Sequence, residues 1–154
     1  PKYPAFSGPL SQPFLKALRD FFGSTLFVET GTLGGETTSI AASLFETVHT
    51  IELSNHFYDK AQKLFSPQPH VFVHLGDSGT VIRELVDHAP AQAIFWLDAH
   101  YCGPNSAHGD SATPILQELA AIKEGGLSDA IILIDDARCF GTSWQGHHFG
   151  GAHS

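Results

Sequence analysis

Short β-branched or aromatic runs alternate along this chain with longer segments of helical period. Leu26-Phe27-Val28, Val48-His49-Thr50-Ile51, Val71 to Leu75, Ala93 to Leu97 and Ile131 to Ile134 predict five strands. Runs that are apolar at successive positions suit strands of a parallel sheet covered on both faces. Between them lie predicted helices. The segment from Pro13 to Phe22 carries apolar residues at 14, 15, 18, 21 and 22, one stripe at helical spacing. Glu36 to Phe45 opens at a Gly-rich turn, and Asn55 to Phe65 carries Phe57, Ala61, Leu64 and Phe65. Ser78 to His88 opens on a residue suited to capping. Thr113-Pro114 then offers a cap followed by proline at the first helical position, with Ile115, Leu116, Leu119 and Ile122 as the apolar stripe and Gly125-Gly126 as the stop. Repeated β-α-β units of this length imply a doubly wound α/β sheet with right-handed crossovers.

Composition narrows the classes of function. A chain of 154 residues is about one domain, and no repeat or linker divides it. The formal charge of −8 and only eight Lys and Arg give no basic stripe, so a nucleic-acid backbone is not an expected partner. No apolar run reaches a membrane span, and the N-terminus lacks a signal-peptide pattern, so the expectation is a cytoplasmic protein. Cys102 and Cys139 are too few for a disulfide framework. Two stretches break the α/β rhythm: Tyr101 to Ala112, after the fourth strand, and a Gly- and His-rich tail from Gly141 to Ser154. Connections as long as the first are frequently functional.

Ligands of such sheets bind beyond the carboxyl ends of the strands, near the switch in strand order. The residues there are Glu29-Thr30-Gly31, Glu52, Gly76-Asp77-Ser78, Asp98-Ala99-His100 and Asp135-Asp136. All five strands finish within a residue or two of a carboxylate. The first turn, from Glu29 to Thr37, has Leu33 where a dinucleotide fingerprint needs its second glycine. Glu36 at the helix start would repel a phosphate, and no phosphate-loop lysine follows. Glu52, 21 residues beyond Gly31, stands where a second-strand carboxylate takes ribose hydroxyls. A ribose, no phosphate and several carboxylates together fit S-adenosylmethionine, whose sulfonium is cationic.

On these residues the chain, from roughly Phe14 to Phe140, resembles the class I S-adenosylmethionine-dependent methyltransferases. Within them it is similar to the metal-dependent O-methyltransferases of the catechol and macrocin types. Glu29, Gly31, Gly35 and Thr37 match the first motif, E-x-G-x-x-x-G-x-[ST]. The resemblance implies a Rossmann-like sheet of order 3-2-1-4-5. It implies that the first turn and Thr37 hold the methionine portion, Glu52 the ribose, and Asp77-Ser78 the adenine edge, with Asp98 also at the cofactor. It further implies Mg²⁺ on Asp98, Asp135 and Asp136, where hard oxygen donors suit that ion. Two positions depart from the catechol pattern: Asp136 replaces an asparagine, and Tyr101 replaces a lysine three residues after Asp98.

That replacement leaves His100 as the candidate base beside Asp98, since an imidazole suits proton abstraction near neutral pH. His108 and Asp110 are weaker candidates, and nothing in the spacing of His147, His148, His153 and Cys139 specifies a zinc site. The expected activity is methylation of a small-molecule hydroxyl. Strands six and seven of the family are missing or atypical after Ile134. The alternatives are therefore a truncated or non-catalytic nucleoside-binding module, and a homodimer that covers the fifth strand.

Overall fold

The structure is a computed structural model and describes residues 10–99 and 114–135. Its elements run α1 (Gln12–Phe22), β1 (Leu26–Thr30), α2 (Glu36–Ala42), β2 (Thr47–Glu52), α3 (Asn55–Phe65), β3 (Val71–Leu75), α4 (Ser78–Val86), β4 (Ile94–Leu97), α5 (Ile115–Glu124) and β5 (Ile131–Ile134). All four strand pairings are parallel, in the order β3-β2-β1-β4-β5. All five strands therefore end on the same edge of the sheet.

The alternation of side chains along a strand sorts the core into two layers. Phe27, Val48, Val71, Ile94 and Trp96 face α1, α2 and α3, where they meet Leu15, Ala41, Phe45, Ala61 and Phe65. Leu26, Val28, Ile51, Phe95 and Leu97 face α4 and α5, against Ile82, Val86, Ala121 and Ile122. The central strands β1 and β4 are buried at every residue, while β3 and β5 at the edges are only partly covered.

Local chemistry shifts several boundaries. Helix α2 stops at Ala42 rather than reaching Phe45, because Ser43 and Leu44 tighten onto the carbonyls of Ile40 and Ala41. Arg19 of α1 then takes the Leu44 carbonyl at 2.7 Å, and Phe45 swings onto Phe27 in the core. The cap of α4 is Asp77, not Ser78: its Oδ1 accepts from the Thr80 amide at 3.1 Å. Pro114 is the N-cap residue of α5 and not its first helical residue. The expected stripes are only partly buried: Leu15 is fully enclosed, whereas Phe21 is 82% and Leu116 76% exposed. Among the described residues no helix is long and apolar enough to cross a membrane.

Candidate cofactor site

The switch in strand order falls between β1 and β4, and there the two strand ends are locked together. Gly31 leaves β1 at φ +83°, a conformation that glycine adopts without penalty. A Cβ on Gly31 would stand 2.8 Å from the Asp98 carbonyl oxygen and 3.3 Å from Ala99 Cα. Thr30 fixes this approach: its Oγ1 accepts the amides of Asp98 at 3.0 Å and Ala99 at 3.2 Å. Asp98 is thus positioned through its own backbone, directly beside the turn.

The turn from Gly31 to Gly35 is closed by the Gly35 amide on the Thr32 carbonyl at 2.8 Å. Leu33, which a dinucleotide site would have as glycine, holds φ +47° and is 48% exposed. A leucine there carries a local strain of about 1–2 kcal/mol. Part of what holds it is Glu52, only 7% exposed, whose Oε2 accepts the Leu33 amide at 2.9 Å while Oε1 accepts the Ser54 amide at 2.8 Å. Glu52 therefore joins the β1–α2 turn to the β2–α3 turn. Each of its oxygens keeps lone-pair capacity for a further donor.

Glu29 has a different place. It is 2% exposed, and its Oε2 accepts from the Thr38 hydroxyl and, at 2.8 Å, from the Thr50 hydroxyl. Thr32 completes the group, 2.6 Å from Thr50. Glu29 thus supports the turn from below and is spent on threonines. Burial pushes its carboxyl up to about 8, against the lowering effect of the Thr38 and Thr50 hydrogen bonds. The group is neutral at pH 7 in the folded chain and ionised in the unfolded one. Its favourable contribution is complete below pH 4.5 and is lost as pH rises towards 8. Urea unfolding of Glu29→Gln should lack this component, which accounts for up to about 1.4 kcal/mol per pH unit inside that window. A variant with the wild-type slope would contradict the assignment.

Gly35, at φ +83°, packs its backbone on α3, where a Cβ would meet Phe65 at 3.1 Å; Thr37 is buried in the first turn of α2. Asp77 and Ser78 lie after β3 on the other side of Glu52, and Gly76 continues the sheet by donating to the Glu52 carbonyl at 2.9 Å. Asp98 and Asp135 follow the paired residues Leu97 and Ile134, and the Asp135 amide donates to the Leu97 carbonyl at 3.1 Å. Two of the three residues expected to hold a metal therefore follow neighbouring strands. Asp136 and the candidate base His100 lie outside the described residues, as do Cys102, His108, Asp110 and Cys139. Among the described residues no group of three His, Cys, Asp or Glu is arranged to hold a metal ion.

The sequence marks Thr30 only as a strand-end residue and gives no role to Thr32, Thr38, Thr50 or Glu118. Thr30, Thr32, Thr38 and Thr50 carry no local mark of their role, since each is decided by a partner on another element. Glu118 occupies the buried face of α5 at 1% exposure, and the i, i+3, i+4 spacing to Ile115 and Ile122 was the available signal. A cavity of about 260 Å³ lies at the opposite edge of the sheet, lined by Thr25, Leu26, Thr47, His49 and His88 among others. Beside it His49 Nδ1 and His74 Nε2 are 2.8 Å apart, and burial together with His74 pushes the His49 imidazole down to about 4.

No known protein-family model matches the chain, and no curated protein does. Solved structures do. A candidate caffeoyl-CoA O-methyltransferase of Staphylococcus aureus aligns over 84% of this chain and 58% of its own, with TM-score 0.59 and 14% identity. The O-methyltransferase TomG of Streptomyces achromogenes, in complex with S-adenosylmethionine, aligns over 81% and 56%, with TM-score 0.56 and 19% identity. An O-methyltransferase of Bacillus cereus, in complex with S-adenosylhomocysteine, aligns over 63% and 47%, with TM-score 0.50 and 23% identity. The chain has the Rossmann-like fold of the class I S-adenosylmethionine-dependent methyltransferases. It spans about half to three-fifths of the length of these three structures.

Proposed function

We propose that this chain is the cofactor-binding domain of an S-adenosylmethionine-dependent methyltransferase acting on a hydroxyl of a small molecule. The observation that carries the reading is the Glu52 clamp. A nearly buried carboxylate at the end of β2 holds the strained turn after β1, one strand away from the switch point at Asp98. A ribose seated there places the adenine towards Asp77 and the sulfonium towards Asp98. The carboxylates on this edge favour the cationic cofactor and disfavour a pyrophosphate. The two neighbours in complex with S-adenosylmethionine or S-adenosylhomocysteine share the fold that presents this edge.

Methyl transfer to oxygen needs a nucleophile that loses its proton, held in line with the methyl carbon. In this reading His100 takes that proton. Asp98, Asp135 and Asp136 would hold a divalent cation; in support, Asp98 and Asp135 follow directly on the paired residues Leu97 and Ile134. Such an ion, when bound, lowers the pKa of the acceptor hydroxyl. The test is transfer of a labelled methyl group from S-adenosylmethionine to a panel of hydroxyl acceptors, with and without EDTA. Transfer that EDTA abolishes while S-adenosylhomocysteine still binds is the expected result. Full transfer in EDTA removes the metal from the mechanism. Cofactor binding without transfer to any acceptor favours a non-catalytic module.

A further inference from the structure

Glu118 has no part in the site described so far. It lies on α5 next to Gln117, where α4 and α5 approach so closely that a Cβ on Gly79 would stand 2.8 Å from Gln117 Cβ. That contact brings Glu118 to the start of α4, and Ser78 Oγ donates to its Oε1 at 2.5 Å. Burial pushes the Glu118 carboxyl above the usual carboxylate range, and the hydroxyls of Ser78 and Thr30 act against that shift. The Thr30 oxygen is already taken by the amides of Asp98 and Ala99, so the proton of its hydroxyl is what it has left to give. One buried carboxylate thus gathers the end of β1, the end of β4 and the turn that carries Asp77 and Ser78. An apolar residue would fill the same space between α4 and α5 without the desolvation cost of a carboxylate, but it would strand two hydroxyl donors.

We propose that Glu118 is a positioning residue of the cofactor site, holding the Asp77-Ser78 edge and the Asp98 edge in fixed relation across the crevice. The role rests on the cofactor reading given above. A ligand that touches both edges is then bound tightly only while the two keep their spacing. Glu118 acts on it through Ser78 and Thr30, without touching it.

The experiment is a calorimetric titration of S-adenosylhomocysteine into the wild type, Glu118→Ala, Glu118→Gln, Ser78→Ala and the Ser78→Ala/Glu118→Ala double variant, each with its melting temperature. Glu118→Ala should weaken binding by about tenfold or more, the size expected for leaving buried hydroxyl donors without an acceptor. Glu118→Gln keeps an acceptor and the volume, and should stay within about threefold of wild type. Ser78→Ala should weaken binding by itself and add less in the Glu118→Ala background, where the bond between the two residues is already gone. If Glu118→Ala does not fold, Glu118→Leu, which fills the space without offering an acceptor, takes its place in both the single and the double variant. Glu118→Ala binding within about twofold of wild type, or strictly additive losses, would overturn the proposal and leave the cofactor reading standing. Failure of the unsubstituted protein to bind is seen before any substitution and overturns both.

Discussion

Gly31→Ala is expected to abolish cofactor binding and to destabilise the domain. Two separate costs meet at this residue. The backbone at φ +83° is strained for any residue with a Cβ, by about 1–2 kcal/mol. The new methyl would also stand 2.8 Å from the Asp98 carbonyl oxygen and 3.2 Å from its carbonyl carbon. Those atoms belong to backbone pinned by Thr30, so neither can turn away as a side-chain tip would. Forced overpacking of this kind costs about 1–3 kcal/mol more. Together the two reach a large share of the roughly 5–15 kcal/mol that stabilises a typical domain. They do so at the joint of β1 and β4 that places Asp98. Urea unfolding and calorimetry with S-adenosylhomocysteine measure both effects. Wild-type stability and affinity in this variant would mean that the turn does not approach β4 as described.

Glu52→Ala is the second large effect. In the ligand-free chain the substitution strands the amides of Leu33 and Ser54, which now share one carboxylate. Leu33 is then free to leave its strained conformation, and the turn loses its shape. Under the proposed function the variant also lacks the acceptor for the ribose hydroxyls. Losing charge-assisted bonds worth about 1.5–3 kcal/mol corresponds to a fall in affinity on the order of ten- to a hundredfold. Glu52→Gln offers one carbonyl oxygen in place of two acceptors and should fall between the variant and the wild type. Calorimetry decides; an unchanged dissociation constant in Glu52→Ala would remove the ribose from this position.

Much of this arrangement was legible in the amino-acid order, and what was not has a common physical cause. Strands announced themselves through local composition: Val71 to Leu75 and Ile131 to Ile134 needed only their β-branched runs. Strand-end carboxylates followed, because the end of a buried strand is where a polar residue can first reach solvent or ligand. The order of the sheet came from family resemblance, since local periodicity carries no information on which strands are neighbours. Glu118 was hidden because an apolar stripe assigns the inward face to Ile115, Leu116, Leu119 and Ile122. The structure instead puts Leu116 in solvent and Glu118 inside, for the sake of Ser78, 40 residues away in sequence. Glu29 was readable as part of a motif but not as a buried, neutral hub, since Thr38 and Thr50 reach it from two different elements. The cap of α4 was misplaced by one residue for the opposite reason. Asp and Ser are both good caps, and only the Thr80 amide shows which one is used.

The central claim is that one edge of the sheet, between the Glu52 clamp and Asp98, holds an adenosyl cofactor. A crystal structure of the protein with S-adenosylhomocysteine tests it most directly. The account predicts ribose hydroxyls within hydrogen-bond distance of Glu52, the adenine beside Asp77 and Ser78, and the thioether sulfur on the Asp98 side of the Gly31 turn. A ligand bound instead at the opposite edge, in the cavity lined by Thr25, Leu26 and His49, would contradict it.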